Sequence, residues 1–322
     1  MLAFAVRRLA AAALTVVIVV TLTFVLAHLA PGEPMLADVE RMRIDPRTIA
    51  RIRAEFGLDR PLAAQYAMYA GNAIRGNLGE SFTMRRPVAA VIRERLPNTL
   101  LLGGVALVLG FVLGIALALA QAVRRGTWMD GALGAGALVF YSMPTFWLGL
   151  VLLYVFGQVL GWLPVGGMTE PVLHERMGAM GRMFDVARHL VLPALTLALV
   201  QTAGIARFQR GALVDALGTE FVRAARGRGL GGTRVLLFHA LRSALAPVIT
   251  LAGTTVPVLL AGSVLVESVF GWPGLGRMTY DAIFARDYNV IIAAGLVTGV
   301  LVALGNLAAD VAVAALDPRH RA

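Results

Sequence analysis

Five histidines, His28, His174, His189, His239 and His320, are the residues best suited to hold a metal in this 322-residue chain. They are scattered, without the two- or three-ligand spacing of a metal site. The chain has no cysteine, which removes disulfides and thiolate ligands. There is no His-Glu-x-x-His, no nucleophile–base pair within an apolar run, and no glycine-rich loop ending in Gly-Lys-Ser/Thr. The sequence therefore predicts no catalytic residue, no bound cofactor and no resident metal. Among the polar residues at or within apolar runs, Glu267, Asn306 and Asp310 stand out. Buried in lipid, such groups are functional by default. Glu267 precedes Phe270-Gly-Trp-Pro and reads either as a gate or as a carboxylate holding an outer loop. Asn306 and Asp310 stand one helical turn apart, where a structural hydrogen bond between helices is the expectation. His28 is expected to be solvated.

Charge concentrates elsewhere. All 29 basic residues are Arg, none is Lys, and the net charge is +10. Because the arginines sit between apolar runs, they orient a membrane protein rather than bind nucleic acid. The segment Arg207–Arg242 is helical in composition and is interrupted once, at Gly227-Arg228-Gly229-Leu230-Gly231-Gly232. Two helices with a glycine joint form an αα-hairpin, and the glycines permit positive φ and close approach of another surface. Its first arm sets Phe221, Ala224 and Ala225 at helical spacing among Arg223, Arg226 and Arg228. The second sets Val235, Leu236, Phe238 and Leu241 beside Arg234, His239 and Arg242. A basic amphipathic hairpin suits two roles: lying on anionic lipid, or docking in a groove of a soluble partner. The glycine joint at the tip favours a partner.

The elements that position these residues are long apolar runs. With 58% hydrophobic and 15% charged residues, the chain is far from a soluble composition. Six runs approach or exceed the roughly 20 helical residues that cross a bilayer: 9–30, 97–123, 131–160, 189–206, 246–266 and 290–315. The third predicts a kinked helix at Pro144 with aromatic anchors. The first is read as an uncleaved anchor, since it is longer than a signal-peptide core and Pro31 follows it. With both termini in the cytoplasm, the inner segments carry thirteen Arg against four acidic residues. The remaining loop, 31–96, carries eleven Arg and eight acids, but at this length the positive-inside rule loses force. That loop reads as a small outer domain. Ile44–Phe56 is a helix with Asp45 as N-cap and Pro46 at its first position; Arg60–Arg75 is a second, whose Tyr66 and Tyr69 suit a membrane interface.

Glu220-Phe-Val-Arg-Ala-Ala-Arg-Gly-Arg-Gly-Leu, followed by His239-Ala-Leu-Arg-Ser-Ala-Leu-Ala-Pro247, resembles the cytoplasmic loop of binding-protein-dependent ABC importer permeases. It is most similar to the dipeptide/oligopeptide/nickel branch. Ala224, Ala225 and Gly229 fit the general motif, and Arg223 stands in its Glu position, a departure typical of the branch. Further matches are Ala30-Pro-Gly-Glu-Pro34, Gly76-Asn-Leu-Gly-Glu-Ser-Phe82, Pro144-Thr-Phe-Trp147, Val266-Glu-Ser-Val-Phe-Gly-Trp-Pro-Gly-Leu-Gly276 and Leu316-Asp-Pro-Arg319. The long outer loop suggests the first of two paired permeases.

The resemblance implies an all-α integral membrane protein of the cell inner membrane. Six transmembrane helices, both termini cytoplasmic, would be divided into an anchor (1–30), an outer loop domain (31–96), a permease core (97–315) and a tail (316–322). The hairpin within 207–245 would be the coupling element, with Arg223, Ala224, Ala225, Gly229 and Leu230 as contacts to an ATP-binding subunit. The implied partners are a second homologous permease, two ATP-binding subunits and an extracytoplasmic solute-binding protein, with no nucleic acid. ATP hydrolysis would lie on the partners, and the cargo would be di- or oligopeptides, with nickel or glutathione-like solutes as alternatives. A self-sufficient channel or secondary transporter predicts inverted repeats and intramembrane charges, and a membrane hydrolase predicts a nucleophile and base. The sequence shows no obvious repeat, the first reading leaves the hairpin unexplained, and the second finds no such pair.

Overall fold

The computed structural model describes residues 2–29, 59–245 and 263–316 and the single positions 248, 251 and 255, side chains of 2–5 and 309–316 apart. Among them all regular structure is helical; the one β feature is an isolated bridge between Glu80 and Pro87. The helices are α1 (Leu2–Leu29), α2 (Leu62–Ile74), α3 (Val88–Val123), α4 (Trp128–Ser142), α5 (Thr145–Leu152), α6 (Ala179–Leu217), α7 (Glu220–Gly227), a second hairpin arm over 232–244, α9 (Leu275–Ala285) and α10 (Tyr288–Leu316); the second arm is α8. α1, α3, α6 and α10 are each long and apolar enough to span a membrane. The pair α4–α5, the latter prolonged by a π-helical stretch Leu153–Val159, makes a fifth candidate span bent by 104°. Of the fifth predicted run only 248, 251, 255 and 263–266 are described; the expected helix at Ile44–Phe56 and the Pro31–Pro34 turn lie outside the described residues.

Proline acts differently at three positions. Pro97 and Pro193 sit inside α3 and α6, which continue through them. At Pro144 the helix stops: Met143 is extended (φ −77°, ψ 136°) and so is Pro144 (φ −56°, ψ 129°). The proline ring disfavours α geometry in the residue before it, and here nothing restores it. The kink expected from the sequence is a complete break.

The chain divides into two compact units. One comprises residues 99–273 and 304–322, with Met1. In it α3 meets α6 through a small-xxx-small pair, Gly110 and Gly114. A Cβ at Gly114 would stand 2.6 Å from Ile205, and one at Gly110 would touch Ala198 and Gln201. Such pairs let helix backbones approach closely in lipid, where packing rather than the hydrophobic effect drives association. Leu102, Ala106, Leu148, Leu192, Phe270 and Trp272 form its main buried cluster. A second joins Ala118, Ala122 and Leu213 to the hairpin residues Val222, Ala225, Val235 and Ala240.

The other unit comprises 2–98 and 274–303. Here α10 presents Gly295 and Gly299 to α1. A Cβ at Gly295 would lie 2.7 Å from Thr23 Oγ1, and one at Gly299 would lie 3.3 Å from Val19. Helix α2 ends in a Schellman turn, with Gly76 at φ +79°, Gly76 N–H on Ala73 O and Asn77 N–H on Asn72 O. It lies on α1 through its tyrosines. Tyr66 Oη and Thr21 Oγ1 are 2.7 Å apart, and its ring stands edge-on to Phe24 at 5.3 Å. The Tyr69 hydroxyl is buried without a partner, and burial pushes its pKa up. His28 is not simply solvated. It is half-buried, with Nδ1 on Phe24 O and Nε2 3.2 Å from Gln65 Oε1.

Candidate functional site

The hairpin begins where α6 ends. Gly218 closes α6, and the Thr219 hydroxyl donates to Ala216 O at 2.6 Å while its extended backbone opens α7. In α7, Val222 and Ala225, three residues apart, share the inward face and are buried. The joint is a left-handed turn: Gly229 has φ +78°, its N–H bonds Arg226 O at 2.9 Å, and Leu230 N–H reaches Ala225 O. No atom lies near a Cβ built on Gly229, so the demand for glycine there is conformational, not steric. The second arm runs as a short helix Gly232–Arg234, a π-helical stretch Val235–Ala240 and a last turn Leu241–Ala244.

This packing sorts the apolar residues of the two arms. Phe221 and Phe238 are 46% and 70% exposed, while Val222, which the spacing passed over, is fully buried. The hairpin is pinned through Val222, Ala225 and Val235 to the cluster with Ala118 and Leu213, and that rotation turns the phenylalanines outward. Of the expected contact residues, Arg223, Ala224 and Gly229 are exposed, Leu230 is half-buried, and Ala225 belongs to the inward face. Arg223 also pairs with Glu220 at 2.8 Å, both highly exposed, a pair of small energetic value. The outer surface thus combines Phe221, Leu237 and Phe238 with exposed Arg223, Arg226, Arg228 and Arg234.

Two ionic clusters escape a reading by local spacing. Arg210 on α6 grips Asp130 on α4 with two bonds, Nε to Oδ1 at 3.0 Å and a terminal nitrogen to Oδ2 at 2.5 Å. Asp130 also receives Gly126 N–H at 3.2 Å, so the α3–α4 turn is tied to the stem of the hairpin. His174 and His189, expected to be scattered, converge on Asp185. His174 Nδ1 lies 2.7 Å from Oδ2 and His189 Nδ1 3.2 Å from Oδ1, while Glu170 N–H donates to Oδ2 at 3.0 Å. The His189–Asp185 spacing of four was the available signal; the turn that brings His174 across was not visible. Among the described residues no group of three or more His, Cys, Asp or Glu is arranged to hold a metal.

Glu267 is fully buried and accepts the Thr99 hydroxyl at 2.8 Å, while its own carbonyl takes Trp272 N–H at 2.8 Å. Gly271 at φ +64° turns the chain between them, and Phe270 O receives Gly167 N–H at 2.7 Å. The turn is closed by backbone bonds, and the carboxylate ties its first residue to Thr99 on α3. Asn306 is exposed on α10; the side chain of Asp310 lies outside the described residues.

Comparison with known proteins adds a family to this geometry. Residues 110–322 match the family described as binding-protein-dependent transport system inner membrane component, and residues 1–103 match its N-terminal membrane component. The chain is 39% identical over 333 residues to the di/tripeptide transport system permease protein DppB of Pseudomonas aeruginosa, covering 100% of this chain and 99% of that one. It is 37% identical to the oligopeptide transport system permease protein AppB of Bacillus subtilis, covering 99% of each. With the glutathione transport system permease protein GsiC of Escherichia coli it shares 39% identity, over 100% and 99% of the chains. Among solved structures, the inward-facing MetNI methionine ABC transporter aligns with a TM-score of 0.56 at 20% identity, covering 70% of this chain and 96% of that one. That last likeness is one of fold.

Proposed function

Because the chain belongs to the family of binding-protein-dependent transport system inner membrane components, we propose that it is the permease subunit of an ATP-driven importer of short peptides. It is a multi-pass membrane protein. In this reading six helices cross the membrane with both termini in the cytoplasm, residues 1–30 anchor the chain, 31–96 cap the outer face, 97–315 form the core and 316–322 the tail. A second, homologous permease completes the translocation path, two ATP-binding subunits supply hydrolysis, and an extracytoplasmic binding protein delivers the cargo. Peptide cargo is supported by relatives named for di/tripeptides and oligopeptides. The glutathione relative widens the class to small peptide-like solutes.

The observation that carries the coupling role is the hairpin's outer surface. Phe221 and Phe238 are 46% and 70% exposed on a hairpin that also exposes Arg223, Arg226, Arg228 and Arg234 and whose joint requires Gly229 at φ +78°. An aromatic anchor with a basic rim suits a groove on a soluble partner. Arg223, Ala224 and Gly229 are the direct contacts; Ala225 and Leu230 hold the hairpin's shape from within. Closure of two ATP-binding subunits would move the hairpin, and α6 would carry that displacement into the membrane as a shift between two packed states. Glu267 holds the outer turn to α3 through Thr99.

Co-purification of the tagged chain from its native membrane, wild type against Gly229→Asp, tests this. Two ATP-binding proteins and a second permease are expected with the wild type, and loss of the ATP-binding proteins with the variant. A wild type that purifies alone would leave the hairpin as a lipid-surface element and reopen the channel reading.

A further inference from the structure

The break between α4 and α5 leaves backbone groups that no protein group takes. Met143 N–H turns back to Phe140 O at 3.4 Å. Among the described residues, the carbonyls of Val139, Tyr141 and Ser142 and the N–H groups of Thr145, Phe146 and Trp147 have no partner. A 15-residue helix separates this break from the Asp130 end of α4, a rise of about 22 Å. That distance falls inside a hydrocarbon core of about 30 Å.

Lipid cannot satisfy such groups. Irregular backbone at membrane depth persists only where it is buried in protein or lines water. The angle of 104° also opens a cavity of about 710 Å³ lined by Leu138, Val139, Ser142, Met143, Phe146 and Trp147 among others. Its lining is mostly apolar, and it includes Val139, Ser142, Phe146 and Trp147, which carry unpaired backbone groups. Apolar walls with a few convergent polar groups, in a volume of roughly 300–1,000 Å³, are what a small ligand needs. A peptide supplies the complement: amide N–H and C=O groups for those backbone groups and side chains for the apolar lining.

We infer that this cavity is a water-filled, cargo-contacting wall of the translocation path, in which the broken backbone of residues 139–147 pairs with the peptide's amides and Phe146 and Trp147 receive its side chains. The inference rests on the peptide-importer reading. The chain contains no cysteine, so single-cysteine variants report one position each. In the assembled importer, Val139→Cys and Trp147→Cys are expected to react with a membrane-impermeant maleimide at least about tenfold faster than Val108→Cys, because a thiol held in hydrocarbon does not ionise. Val108 is an exposed apolar residue of the unbroken α3 and serves as the lipid-side control.

A bulky maleimide at either cavity position is then expected to abolish uptake of alanyl-phenylalanine, and the same label offered to Val108→Cys to leave it unchanged. Reaction no faster than at Val108→Cys would overturn the inference, since the cavity would then be dry. Fast reaction with undiminished uptake would overturn its cargo role. Uptake by the unlabelled wild type is measured first. Its failure would sink the peptide reading alone, because the labelling rates still decide whether the cavity is wet.

Discussion

The Ser81 hydroxyl donates a 2.6 Å hydrogen bond to Asp287, a carboxylate with no exposed surface that lies 206 positions further along the chain. Thr83 adds its N–H and its hydroxyl to the same oxygen, each at 3.1 Å. Asp287 meanwhile opens α10, its carbonyl taking Ile291 N–H at 3.0 Å, and Asn289 Nδ2 donates to Glu80 O at 2.8 Å. Gly79 is needed because its φ is +80°, and a Cβ there would also sit 3.0 Å from the Asn289 amide. The Gly76–Phe82 motif is thus a clasp between the outer loop and the start of α10. Removing Asp287 orphans four donors, Val290 N–H among them, whereas removing Ser81 leaves the carboxylate with three. Asp287→Ala is therefore expected to cost about 2–4 kcal/mol and Ser81→Ala about 1 kcal/mol, read as detergent-solubilised unfolding midpoints. Equal costs would refute the clasp.

The close approach of Gly295 to Thr23 gives a paired test. Gly295→Ala places a methyl group 2.7 Å from Thr23 Oγ1, so α1 must move away. The loss is expected to be about 1–3 kcal/mol, and Thr23→Ala in the same chain should recover most of it by vacating the space. A double variant no better than Gly295→Ala would mean that the two helices do not pack through this pair.

Asp130 and Arg210 are predicted to act as a charge pair rather than as two independent residues. Either Asp130→Ala or Arg210→Ala should lower the thermal midpoint of the purified importer. The exchanged pair, Asp130→Arg with Arg210→Asp, should regain part of it. The loss should shrink in high salt, because Arg210 keeps a side chain 34% exposed and exposed charge is screened. No recovery in the exchanged variant would assign the effect to packing.

Two tyrosines three positions apart on α2 should respond oppositely. Tyr69 buries a hydroxyl without a partner, so Tyr69→Phe removes an unpaid desolvation and should leave stability unchanged or raise it by up to about 1 kcal/mol. Tyr66 shares a 2.7 Å hydrogen bond with Thr21, and Tyr66→Phe should lower stability by about 0.5–1.5 kcal/mol. Thermal midpoints of the two variants decide the sign.

The sequence alone determined what depends on neighbours in the chain. Apolar runs required helices in lipid, Pro144 marked a kink, the glycine joint at 227–232 marked where helix stops, and the order of short motifs pointed to the family. Those signals are local, because helix formation and turn geometry are set within a few residues. What the tertiary structure decided was which groups meet. Phe221 and Val222 are adjacent, and only the rotation of α7 onto Ala118 and Leu213 buries one and exposes the other. His174 and His189 looked scattered until a loop delivered both to Asp185. Pro193 is absorbed within α6 while Pro144 breaks the span, although both rings impose the same local constraint. Glycine pairs such as Gly110–Gly114 and Gly295–Gly299 were legible as spacing, but their partners were not. Contact between distant segments is a property of the whole packed arrangement, in which each close approach is allowed by every other, and no window of sequence contains it.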